Sequence, residues 1–80
     1  MDYSERIFIN PKVMLGKPCI KGTRITVELI IRDLSKGATI EWILDGYPHL
    51  TREDILAALA YSADVLANEE VLEALRALSE

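Results

Sequence analysis

The run TIEWILDGYPHLTREDILAALAYSADVL, Thr39 to Leu66, carries the punctuation of two helices and one tight turn. Thr39 is an N-cap residue, able to accept a hydrogen bond from an otherwise unpaired amide of the first turn. Glu41 follows where a carboxylate suits the helix dipole. Ile40, Ile43 and Leu44 give this short helix an apolar face. Gly46 closes it, and Pro48 cannot continue it. Thr51 to Asp54 then has the form of a capping box, with Asp at N3 in place of the longer Glu or Gln. Leu50 and Ile55 stand at N′ and N4, the positions of a hydrophobic staple. A longer helix is expected from there to about Leu66. Ile55, Leu59 and Leu66 are expected to face inward with Leu56 and Ala63 beside them, and the alanines at 57, 58, 60, 63 and 67 permit close packing. A short helix, a tight turn and a well-capped longer helix is helix-turn-helix grammar, although an ordinary small helical bundle uses the same signals.

Upstream, Thr26 reads as the N-cap of a helix over Val27–Leu34. Val27, Ile30, Ile31 and Leu34 repeat at i, i+3, i+4, i+7, one buried stripe, and Gly37 sits where a C′ glycine belongs. Before that helix, residues 6–9 (Arg-Ile-Phe-Ile) predict a short strand. Asn10-Pro11 and Gly16-Lys17-Pro18 predict turns, and Cys19-Ile20 a short returning strand. A lone hairpin is barely stable in water, so this arm must pack on the helices or on a second subunit. Downstream, Asn68 suits an N-cap for a final amphipathic helix from Glu69 to about Leu78, with Val71, Leu72, Leu75 and Leu78 as its apolar stripe. The expected architecture is one mainly α domain over 1–80. It has a β-hairpin or arm at 1–25, a three-helix, homeodomain-like helix-turn-helix core at 26–66, and a C-terminal amphipathic helix at 67–80.

Half of the 80 residues are hydrophobic, which excludes a disordered tail. A chain of this length buries only about 60–65% of its unfolded surface, so sharing a core with a second copy is an attractive source of stability, and a homodimer is expected. The net charge of −4 is unevenly spread: residues 1–24 carry five basic and two acidic residues, and residues 25–80 four basic and eleven acidic. A weakly basic arm on an acidic body can face two kinds of partner. No apolar run is long enough to span a membrane and no leader pattern opens the chain. With Cys19 as the only cysteine, no internal disulfide can form, and the expected setting is the reducing cytoplasm.

Catalysis is not expected. A nucleophile needs a base and an orienting group, and the chain has one histidine, His49, and one cysteine, Cys19. These cannot close a zinc site of about four ligands, and no cofactor is expected. The stretch Gly16 to Thr23 has the glycines of a phosphate loop, but no Lys-Ser/Thr pair follows the second one.

Three short motifs in order do carry a resemblance: Gly16-Lys17-Pro18, then Gly22-Thr23-Arg24, then Tyr47-Pro48-His49-Leu50 ahead of the Ala57-to-Tyr61 segment. Together with Asn10-Pro11, they resemble the domain-of-unknown-function 433 family over roughly residues 7–62. Cys19 departs from the aliphatic residue usual at its position. The resemblance implies a homeodomain-like, helix-turn-helix-related fold, and an antitoxin-like protein encoded beside a PIN-like ribonuclease. It brings no established chemistry. Arg24, directly after the Gly22-Thr23 turn, is expected to fix the arm on the helices through hydrogen bonds from its guanidinium, with a phosphate contact as the alternative.

Three functions stay open on the sequence: an antitoxin that binds a PIN-like toxin and its own operator as a dimer, a stand-alone DNA-binding regulator, and an interaction domain with no nucleic-acid role. The DNA-contact candidates are Lys21, Arg24, Thr51, Arg52 and Tyr61. The acidity of the chain and Glu53 and Asp54 in the first turn of the longer helix oppose strong autonomous DNA binding, because cationic contacts to phosphate dominate affinity. The partner-binding candidates are Val71, Leu72, Leu75 and Leu78, whose stripe can pack on its own core, cross a dimer or enter a partner's groove.

Overall fold

The computed structural model describes residues 2–68 and Ala77. The expected C-terminal helix, with Val71, Leu72, Leu75 and Leu78, lies outside the described residues. Among the described residues, two strands and three α-helices follow in order, with a short 3-10 turn at Met14–Gly16 between the strands: β1 (Ile7–Phe8), β2 (Cys19–Ile20), α1 (Val27–Ser35), α2 (Ile40–Gly46) and α3 (Arg52–Leu66). The fold is mainly helical, with a small antiparallel sheet near the N-terminus, as the sequence predicts.

Each helix starts where its cap stands. The Thr26 hydroxyl accepts from the Leu29 amide at 3.0 Å, and that of Thr39 from Trp42 at 3.1 Å. The capping box at α3 is complete despite the short aspartate: Asp54 N–H donates to the Thr51 hydroxyl at 3.2 Å, and Thr51 N–H donates to Asp54 Oδ2 at 3.0 Å. Gly37 ends α1 with φ +94°, a left-handed conformation that costs glycine little.

The arm is stitched in on both sides. β1 pairs with β2 in the register Ile7–Ile20 and Phe8–Cys19. On its other side, β2 meets the chain entering α1: Ile20 N–H donates to the Ile25 carbonyl at 2.9 Å, and Val27 N–H to the Pro18 carbonyl at 2.9 Å. These bonds let a two-residue hairpin persist, because it is continuous with the start of α1 and not a free ribbon.

Ile20, Val27, Ile30, Ile43, Leu50, Ile55 and Ala58 form one core, to which β2, all three helices and the α2–α3 turn contribute. Both residues of the staple, Leu50 and Ile55, belong to it. One expectation fails. Leu59 is 39% exposed and Leu66 60%, while Asp54, Ile55, Ala57 and Ala58 are buried. The inward arc of α3 is therefore centred near Ala58, rotated by roughly a quarter turn from the leucine stripe. Ala58 packs in the core beside Val27 and Ile30 of α1, and Leu59 and Leu66 are left on the flank.

Candidate functional site

The first turn of α3 is where the structure gathers charge. Asp54 is buried, and its two oxygens have separate tasks. Oδ2 closes the capping box, and Oδ1 lies 3.0 Å from Arg6 Nη1. The backbone amide of Lys21 donates to the Arg6 carbonyl at 2.8 Å, so the arm brings Lys21 beside the residue that grips α3. Arg52, in the same first turn, stands 3.8 Å from Glu41 of α2. Both partners of that pair are largely solvated, so it contributes little.

Lys21 and Arg24 are exposed, and their charged ends have no hydrogen bond or ion pair to a described residue. The arm is tied to the helices by Arg6, not by Arg24 as expected. Arg24, after the Gly22 turn, is exposed, whereas β1 runs alongside α3 and Arg6 reaches Asp54. The sequence places Arg6 at the start of the strand over 6–9 and among the basic residues of the arm, without a partner. A pair 48 residues apart leaves no periodic trace, and the one available hint was the oddity of an aspartate at N3.

The other sequence candidates separate. Thr51 is exposed, with its hydroxyl engaged in the cap. Tyr61 sits about 13 Å further along the α3 axis from Arg52, away from the cationic cluster. Its ring meets that of Tyr3 edge-on at 5.5 Å and 88°. The Tyr3 hydroxyl donates to Asp64 Oδ2 at 2.7 Å. That hydrogen bond, with desolvation and nearby negative charge added, raises the Tyr3 pKa above its ordinary value.

The motif residues sit at turns. Thr23 Oγ1 donates to the Ile20 carbonyl at 2.8 Å and accepts from the Ile25 amide at 3.0 Å, locking the Gly22 turn. Pro18 is half-buried, Tyr47 packs against the core and Leu50 lies within it. Pro48 and His49 are exposed in the turn between α2 and α3. Cys19 is buried, and its thiol donates to the Lys17 carbonyl at 3.3 Å.

Between α1 and the far half of α3 runs an apolar groove of about 520 Å³, with Val27, Ile31, Tyr61 and Val65 in its walls and Pro18 at one end. Its rim carries Glu28, which accepts from Lys17 at 3.1 Å and from Arg32 at 3.0 Å. These bonds, the Lys17 one first, hold the Glu28 carboxyl below its ordinary pKa. Large apolar side chains are also exposed elsewhere: Trp42 is 62% accessible and Leu15 93%. Leu15 belongs to a turn in which Met14, Leu15 and Gly16 have φ of +49°, +59° and +80°. Among the described residues, no group of three or more His, Cys, Asp or Glu side chains could hold a metal ion. No helix among them is long and apolar enough to cross a membrane.

Three helices among the described residues, a stitched-in arm, motif residues at the turns and an apolar groove define the class as a small, mainly helical fold. The family described as protein of unknown function DUF433 matches residues 7–62, and the chain belongs to that family. The crystal structure of a DUF433 member from Anabaena variabilis superposes with a TM-score of 0.75 at 32% identity, over 96% of this chain and 71% of that one. An uncharacterized protein from Archaeoglobus fulgidus is 57% identical over 28 residues, which are 35% of this chain and 78% of the relative.

Proposed function

We propose that this protein is a non-catalytic binding protein of the antitoxin type, which associates with itself, neutralises a PIN-like ribonuclease and contacts its own operator DNA. The observation that supports a binding role is the amount of large apolar side chain left at the surface. Trp42, Leu66 and Leu15 are 62%, 60% and 93% exposed on a chain of 80 residues. Of these, Trp42 supports the reading most directly, because tryptophan is among the residue types enriched at the energetic centre of interfaces.

For the operator, the supporting residues are Lys21, Arg24 and Arg52, solvent-exposed cations of the arm and of the first turn of α3. The opposing charge is smaller than the sequence suggests, since Asp54 is engaged by Arg6 and only Glu53 of the two first-turn carboxylates is exposed. Three cations still support only weak, salt-sensitive binding, so the toxin complex, not the free protein, is the form expected to hold DNA. The cytoplasm is the corresponding compartment.

The test is co-expression with the product of the neighbouring gene, which on this reading is a PIN-like ribonuclease. The expected result is a complex that survives size exclusion and a ribonuclease that no longer cleaves RNA. Failure of both overturns the reading. Tight sequence-specific DNA binding by the isolated protein at physiological salt would instead favour a stand-alone regulator.

A further inference from the structure

A recess of about 390 Å³ lies at the turn between α1 and α2, lined by Asp33, Lys36, Gly37, Ala38, Thr39 and Trp42. Trp42 is 62% exposed, which leaves a large apolar ring in water. Carboxylates surround it. Glu41 precedes it, and Asp45 stands at i+3, the neighbouring position on a helix surface. Both are exposed. Asp33, half-buried, lines the recess with the ring. Glu41 has Arg52 at 3.8 Å. Asp33 and Asp45 have no ion pair or side-chain hydrogen bond among the described residues, and Lys36, in the same recess, does not pair with Asp33. The arm is the reverse: residues 6–27 hold five basic residues and no carboxylate. The two surfaces therefore suit ligands of opposite charge.

We propose that this recess docks an arginine side chain of a protein partner, with the guanidinium laid on the Trp42 indole and paired with the Asp33 carboxylate. This rests on the binding role proposed above, and adds the surface and the chemistry that recognise the partner. The charges around the ring select the occupant. A phosphate backbone would be brought up against Asp33, Glu41 and Asp45, which repel it. A purely apolar segment would cover Asp33 and leave its carboxylate without a partner, which is costly. A cation satisfies both groups at once, since the face of an indole attracts positive charge and the carboxylate supplies the counter-charge. Arginine fits better than lysine. Its guanidinium is flat, stacks on an aromatic face and meets a carboxylate with two donors, whereas an ammonium is a compact and more strongly hydrated charge. Tryptophan and arginine are also residue types over-represented at the energetic centres of protein interfaces.

Trp42 is the only tryptophan in the chain, so its fluorescence reports on this recess directly. The experiment titrates the full chain at low salt with a hexa-arginine peptide, and in parallel with hexa-lysine. Hexa-arginine is expected to change the Trp42 emission. Asp33→Asn is expected to weaken its binding at least about fivefold, as for a lost charge-assisted pair. Glu5→Gln, which removes a carboxylate of the arm outside the recess, is expected to leave it unchanged. Hexa-lysine is expected to bind at least about threefold more weakly than hexa-arginine. An emission unchanged up to about 1 mM peptide, the weakest binding of interest, overturns the inference. So do equal losses for Asp33→Asn and Glu5→Gln, or equal binding of the two peptides, because net charge alone would then explain the attraction. A second arm uses the complex with the neighbouring gene's product. Trp42→Ala is expected to keep the fold, checked by circular dichroism, and to weaken that complex at least about tenfold. A complex indifferent to Trp42→Ala overturns this inference and leaves the ribonuclease reading standing. Failure of wild type to form the complex, with the peptide result intact, overturns that reading and leaves this inference standing.

Discussion

Arg6 Nη1 lies 3.0 Å from Asp54 Oδ1, an ion pair that ties the residue just before β1 to the first turn of α3. The same carboxylate closes the α3 cap through its other oxygen. Asp54→Ala is therefore expected to remove two interactions at a buried position and to cost about 2–3 kcal/mol in chemical denaturation. Asp54→Asn keeps an acceptor for the cap and should cost about half as much. Arg6→Ala loses an ion pair whose arginine side is 41% exposed and is expected to cost no more than about 1 kcal/mol. Equal losses for Asp54→Ala and Arg6→Ala would show that the cap contributes nothing.

Arg24 has the opposite prospect. With no partner among the described residues, Arg24→Ala should leave the unfolding free energy within about 0.5 kcal/mol of wild type. On the proposed reading, it should lower the DNA affinity of the complex with the ribonuclease and flatten its salt dependence by about one charge. A large drop in melting temperature would restore the structural role that its motif position suggests.

Gly22 has φ +79° and open space where a Cβ would stand. Gly22→Ala therefore tests backbone conformation without a clash and is expected to cost about 1–2 kcal/mol, read by urea midpoint at constant slope. A neutral result would mean that the turn can flip into another conformation.

Tyr3 and Glu28 predict pH dependence at opposite ends. The folded pKa of Tyr3 is raised above 10.0, so its bond to Asp64 contributes at all pH below the unfolded value and is lost as pH climbs through the folded one. The stability gap between wild type and Tyr3→Phe should be constant near neutrality and close at strongly alkaline pH. Glu28 is lowered from 4.5, so its contribution is present above that value and vanishes as pH falls through the folded pKa. The gap to Glu28→Gln should close in acid and shrink in salt. Gaps that widen in those directions would contradict the assigned hydrogen bonds.

The helices were legible because their signals are local. Thr26, Thr39 and Thr51 cap within three residues of themselves, and Gly37 answers a purely conformational demand. The two strands were legible for a related reason, short β-branched runs between turns. The face of α3 was not, since Leu59 and Leu66 are the better hydrophobes and only the way α3 packs in three dimensions puts Ala57 and Ala58 inside. The tie between Arg6 and Asp54, the left-handed backbone of Met14 and Leu15, and the groove depend on elements far apart in sequence or on a conformation that residue type argues against.

The buried alanines also act as a gauge. Ala58, fully buried in the core with Val27 and Ile30 of α1, limits how near α3 can come to α1, and the same two helices form the walls of the groove. Its width is thus set in part by Ala58, which does not line the cleft. An enlarged residue at Ala58 would spread the walls from beneath, retuning what the cleft admits while its lining stays chemically unchanged.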